Sequence, residues 1–150
     1  MDKLSKLGFL ASEILLQENV LKNYKSEDIA IILANSSSSL NNDKEYQQSI
    51  NEIPSPSIFV YTLPNIVIGE ICIKNNIKGE AAFFLQETFD TAFIKNYIDS
   101  LMNSGAAKAC ITGWVEIEYE VNYHAILYLI EHKNKGITFS ESNLTKIYNE

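Results

Sequence analysis

The run Ile29-Ala30-Ile31-Ile32-Leu33-Ala34 is apolar without interruption and rich in β-branched side chains. So short a run fits a strand better than a helix, and its lack of alternation predicts burial on both faces. A strand covered on both sides needs helices above and below it, which points to a layered α/β domain. The rest of the chain supplies them. Residues 2–18 repeat apolar positions at Leu4, Leu7, Ala11, Ile14 and Leu15, a helical stripe with Asp2 as its N-cap. The Ser/Asn-rich stretch 35–42 reads as a loop, with a short helix over 43–50. Pro54 and Pro56 break the chain, and a helix follows over 64–75, opened by Pro64. Lys78-Gly79-Glu80 turns the chain into a second apolar strand, Ala81 to Leu85. The spacing of Phe89, Ala92, Phe93 and Tyr97 predicts a helix over 88–103, with Gly105 in C-cap position. Strands follow over 108–118 and 123–131, and Ser140-Glu141 caps a short last helix. The order predicts a mainly parallel sheet flanked by helices, with an antiparallel strand added at the end.

Composition narrows the function. The chain has 150 residues and is read as one domain over its whole length, with a net charge of −7. No Lys/Arg run interleaves with aromatics, so neither nucleic acid nor an anionic membrane surface is an expected partner. The start MDKLSKLGFL lacks a signal-peptide core, and no apolar run approaches the ~20 residues that span a bilayer. Cys72 and Cys110 form no CxxC pair, and a reduced cytoplasmic setting follows.

The middle of the chain carries an ordered set of landmarks. Leu63-Pro64-Asn65 opens a helix, followed by Gly69-Glu70 and Ile77-Lys78-Gly79-Glu80. Then come the strand Ala81 to Leu85, a helix to Met102, Ser104-Gly105, and Ile111-Thr112-Gly113-Trp114. This set resembles the N-terminal half of the β-ketoacyl-ACP synthases of the thiolase-like superfamily. The segments 2–13, 29–39 and 123–131 resemble flanking parts of the same half. The resemblance implies half of a thiolase-like fold.

It also implies a site, and the chain departs from the family at that site. Gap-free register places Thr88 where the family has its nucleophilic cysteine. The family's two catalytic histidines lie in the other half, and its first strand precedes the helix at which this sequence starts. Condensation needs a populated thiolate, which the family sets at a helix start to lower its pKa. A hydroxyl such as that of Thr88 is protonated at neutral pH unless a strong base adjoins it, and the nearest candidate is Glu87. A plainer role for Thr88 is N-cap of the helix that follows, with Asp90 in the first turn.

The family is dimeric, and the strand before the nucleophile pairs across a two-fold axis. The matching residues are Ala81, Ala82, Phe83, Phe84 and Leu85, with a ketosynthase subunit or a second copy as partner. Some ketosynthase systems, including those making aromatic polyketides and aryl polyenes, pair a catalytic subunit with a cysteine-less chain-length factor that shapes the acyl pocket. The expected function is such a non-catalytic subunit in fatty acid or polyketide/aryl polyene type synthesis, reaching acyl carrier protein through the complex. The alternatives are a free-standing acyl-chain or carrier-protein binding module, and an acyl decarboxylase or hydrolase using Glu87 or Thr88. Phe89, Phe93 and Trp114 are the acyl-pocket candidates, Trp114 replacing the second glycine of the family's Gly-Gly. No cofactor or metal is expected: His124 and His132, eight apart, have no carboxylate or cysteine cluster nearby. Cys72 and Cys110 read as small core residues. Ser36 to Ser39 reads as a plain loop, with an anion-binding nest of amides as the sharper alternative.

Overall fold

The computed structural model describes residues 1–119, 121–133 and 136–150. Four strands form one sheet in the order β2-β1-β3-β4. β1 (Ile29–Asn35) lies between β2 (Ala81–Leu85) and β3 (Ala109–Glu118) and is parallel to both. β4 (Asn122–Glu131) returns antiparallel to β3. This is the expected mainly parallel sheet with one antiparallel neighbour.

Alternation along the strands divides the core in two. Ala30, Ile32, Ala34, Cys110 and Trp114 point to one face, where they meet Ile94, Ile98 and Met102 of α5 (Thr91–Asn103) and Leu144 of α6 (Glu141–Tyr148). Ile29, Ile31, Leu33, Ile111 and Val115 point to the other. There they meet Leu4 of α1 (Lys3–Leu15) and Val67, Ile68 and Ile71 of α4 (Ile66–Asn75). β1 is buried at every position because both layers close over it. Truncating a fully buried side chain such as Ile98 to Ala is expected to cost about 2–5 kcal/mol.

Several boundaries differ from the sequence reading, each for a local reason. α1 stops at Leu15 rather than 18, since Glu18 and Asn19 take left-handed φ values of 62° and 54°. α2 (Leu40–Ile50) starts three residues early. Pro56 opens a short helix, α3 (Pro56–Val60), instead of breaking the chain, because proline suits a first turn and the Ser55 hydroxyl accepts from Ile58 N at 3.4 Å. α5 starts at Thr91, and its N-cap is Asp90, whose carboxylate accepts from Phe93 N at 2.9 Å. Thr88 is therefore not the cap; a carboxylate nearer the helix takes that place. Gly113 is required where it stands, since a Cβ there would lie 2.0 Å from the Ile126 carbonyl oxygen. Among the described residues no helix is long and apolar enough to cross a membrane.

Candidate functional site

Parallel strands carry their outgoing loops to one end of a sheet, and crevices form where those loops part to opposite faces. Here β1 leads towards the α4 layer and β2 leads into α5 on the other face. The turns after β1 and β2 border an open groove of about 650 Å³ on the α5/α6 side. Ser36 comes from the first turn, Glu87 and Thr88 from the second. Trp114, Glu118 and His124 come from the β3–β4 hairpin, and Tyr148 from α6.

The most heavily bonded side chain in this region is Glu116, which the sequence reading did not single out. It sits on β3, only 2% exposed, beside the start of the turn after β1. Its Oε2 accepts from Ser36 N at 2.6 Å, Ser36 Oγ at 2.6 Å and Ser37 N at 3.2 Å. Its Oε1 accepts from Ser37 Oγ and from Ile117 N, the latter at 3.1 Å. Burial alone would push this carboxyl up. The two serine hydroxyls, then the two backbone amides, outweigh it and hold the group below the usual carboxylate range. The suggested nest of amides after β1 thus exists at Ser36 and Ser37, but the chain's own carboxylate fills it. The same turn is knit further by Asn35, which donates to Ser38 O at 2.9 Å and accepts from Ser38 N at 3.0 Å. Asn42 donates to Asp2 Oδ2 at 2.6 Å and Tyr61 O at 2.7 Å.

The turn after β2 is built differently. Glu87 and Thr88 are both exposed on the groove wall. Thr88 stands ahead of the α5 start, off the helix, and among the described residues no base is hydrogen-bonded to its hydroxyl. A threonine so placed has neither a dipole nor a general base to generate an alkoxide.

The three acyl-pocket candidates do not meet. Phe89 and Trp114 do, with ring centroids 6.0 Å apart, in a cluster completed by Tyr128 and Tyr148. Phe93 lies elsewhere, 39% exposed, edge-on to Phe84 and stacked with Tyr97. Trp114 fills the α5/α6 side of the core, as expected of a bulky residue there. In β2, Phe84 packs towards α5 and Phe83 towards α4, so each ring lies on the sheet's own core faces. Among the described residues β2 pairs only with β1, which leaves its outer edge open.

The remaining candidates separate as well. His124 is exposed beside the groove, opposite Glu116 in the β3–β4 ladder and 5.3 Å from the Tyr148 ring, and His132 lies at the far end of β4. No group of three or more His, Cys, Asp or Glu among the described residues could hold a metal ion. Burial pushes the Cys110 thiol up to about 12, and raises Cys72 too, so neither is a ready nucleophile.

The fold matches half of a thiolase-like fold. It is similar to the ishigamide ketosynthase/chain length factor, with a TM-score of 0.65 and 23% identity over 77% of this chain and 34% of that one. It is also similar to a ketosynthase in complex with its chain length factor from Xenorhabdus doucetiae. That match has a TM-score of 0.59 and 15% identity, over 89% of this chain and 59% of that one. At these identities the likeness is one of fold. The chain spans about a third of the first of these structures and less than two-thirds of the second. No family model matches the sequence, and no curated protein does.

Proposed function

We propose that this chain is a non-catalytic ketosynthase-like subunit, acting as a chain-length-factor-like partner in polyketide or fatty acid type synthesis. The carrying observation is that Thr88, which the family register puts at the nucleophile position, is an exposed hydroxyl ahead of the helix start with no base bonded to it among the described residues. Both fold neighbours are described with a ketosynthase and a chain length factor together. On this reading residues 1–150 act as one unit in the cytoplasm, and the partner is a ketosynthase.

The contact on this reading is the outer edge of β2, Ala81, Ala82, Phe83, Phe84 and Leu85. That edge has no charge and no proline, and among the described residues no strand pairs with it, so it lacks devices by which free edges avoid association. Leu85 and Phe93 add exposed apolar surface beside it. The net charge of −7 fits a division of labour, since acyl carrier proteins are acidic and would dock on the ketosynthase instead.

The test is co-expression of the tagged chain with the ketosynthase encoded nearest to it, followed by native mass measurement. A one-to-one complex is expected, and Leu85→Asp, at the exposed end of the edge, should dissolve it while the chain stays folded. A homodimer that ignores the ketosynthase would overturn the partner reading and favour a free-standing acyl-binding module.

A further inference from the structure

The sheet has two outer edges, and among the described residues neither is paired. The second, on β4, is the longer, with ten residues against five in β2. Between His124 and Glu131 it reads Ala125-Ile126-Leu127-Tyr128-Leu129-Ile130, without charge, proline or glycine. Its side chains are already placed. Leu127 and Leu129 pack with the α1/α4 layer, and Ile126, Tyr128 and Ile130 with the α5/α6 layer. What is left is the edge itself, a row of unpaired N–H and C=O groups that accepts another strand. A charge-free window of this kind aggregates when it stays bare, so the group that fits it is a strand.

The helix beside this edge is apolar on the same side. α1 packs on α4, β3 and β4. Towards α4 it turns Gly8, where a Cβ would lie 2.4 Å from Val67, and Glu13, whose carboxylate is 3.8 Å from Lys74 Nζ. Leu7, Leu10 and Ile14 follow one another at i, i+3 and i+7 on the opposite flank, the one towards β4. Leu7 packs on the same core as Leu127 and Leu129, while Leu10 is 62% exposed and Ile14 70%. These two side chains continue the apolar surface of the edge into the helical layer.

Direction and charge decide which strand fits. The pairs Gly8–Val67 and Glu13–Lys74 make α1 parallel to α4. α4 returns the chain from β1 to the parallel β2 and so runs against β1, and β4 runs against β1 as well. α1 and β4 therefore share a direction. Two β4 edges paired antiparallel about a two-fold axis set two α1 helices side by side, also antiparallel. α1 is basic near its start, at Lys3 and Lys6, and acidic near its end, at Glu13. Asp2 is spent on capping the helix and on Asn42. In the antiparallel arrangement the basic end of each helix lies beside the acidic end of the other, with Leu10 and Ile14 between them. The surface is complementary to itself, as an isologous dimer requires.

We propose that the β4 edge and the Leu10/Ile14 stripe of α1 bind a second copy of this chain, the two β4 strands pairing antiparallel into one continuous sheet. This goes beyond the partner reading and leaves the β2 edge free for it. The one-to-one ratio with a ketosynthase is then carried in an assembly of two of each.

The test is sedimentation velocity of the full chain over a rising concentration series. The unaltered chain is expected to shift from monomer to dimer mass. The double variant Leu10→Asp/Ile14→Asp alters exposed side chains only, so its circular dichroism should be unchanged while its dimer weakens about tenfold or more. Lys3→Glu/Lys6→Glu in one chain, and Glu13→Lys in another, should each weaken self-association, and mixing the two chains should restore the dimer. That recovery follows from antiparallel pairing, because each altered end then meets its opposite charge. A monomer at every concentration of the unaltered chain would overturn the proposal. So would a dimer that survives Leu10→Asp/Ile14→Asp and is lost in Leu85→Asp, which would put the contact on β2. No recovery on mixing would overturn the antiparallel arrangement. Co-expression separates this dimer from the partner reading. Leu85→Asp should lose the ketosynthase and keep the dimer, and Leu10→Asp/Ile14→Asp should do the reverse.

Discussion

Two turns leave the same end of the sheet from neighbouring parallel strands, and they are held together very differently. After β1, Ser36 and Ser37 clasp a buried carboxylate with four donors, while Asn35 and Ser38 bond each other both ways. After β2, Gln86 donates its N–H to Asn35 O at 2.9 Å and its Oε1 accepts from Asp90 N at 3.3 Å, while Glu87 and Thr88 between them stand exposed. On the proposed register the second turn is where the ketosynthase family carries its chemistry, and such a turn has to be pre-organised. Here most of the bonding is in the first turn. The contrast agrees with the proposal that the chain keeps the frame of the fold and leaves the reaction to a partner.

The contrast can be broken most strongly at Glu116. Glu116→Ala strands the donors of Ser36 and Ser37 beside the core, and the expected loss is about 3 kcal/mol in denaturant unfolding. The sign with pH follows from the depressed carboxyl. A group ionised more easily folded than unfolded contributes its full stability above the usual carboxylate range and loses it as pH falls through the folded value. Glu116→Gln should therefore flatten the acid limb of the stability curve. An unchanged acid limb would mean that the clasp does not hold the turn.

A smaller effect of opposite sign is expected at Thr112. Thr112→Val removes a hydroxyl that bonds nothing, so the chain should be unchanged or gain up to about 1 kcal/mol in thermal unfolding. A loss above that size would show that the hydroxyl has a partner in solution.

The smallest effect is expected in the second turn. Thr88→Cys should leave stability within about 0.5 kcal/mol, since the residue is exposed and unbonded. Its thiol should titrate in the ordinary free-cysteine range in an alkylation-rate profile, because it sits off the helix start. A thiol reactive several pH units lower would reveal a prepared nucleophile site and erase the difference between the turns.

Much of the frame was legible in the sequence because it rests on unambiguous patterns. The unbroken run 29–34 announced a doubly buried strand, and the 3.6-residue spacing of Phe89, Phe93 and Tyr97 announced α5. Ser140 and Asp2 are caps as expected. The site was less legible. Glu116 looks like one polar residue in a strand of apolar ones, and its five donors come from 80 residues away and from its own neighbour. Only the parallel register of β1 and β3 brings them together. Phe93 was grouped with Phe89 by helical spacing, but α5 starts only at Thr91, so Phe89 lies ahead of the helix and the spacing does not put the two rings on one face. Thr88 was taken for a cap because Thr and Asp both suit that role, and the shorter reach from Asp90 to Phe93 N decided it. Asp28 and Lys108, which tie the amino ends of β1 and β3 at 2.7 Å, gave no signal in sequence either.

The central claim is that the chain serves a condensing partner and does not itself react. Product formation from a malonyl thioester should be measured for the ketosynthase alone, with this chain, and with its Thr88→Ala form. The account predicts weak or no product from the ketosynthase alone, full product with the chain, and equal product with Thr88→Ala. Turnover by this chain alone, or its loss on Thr88→Ala with the complex intact, would contradict it.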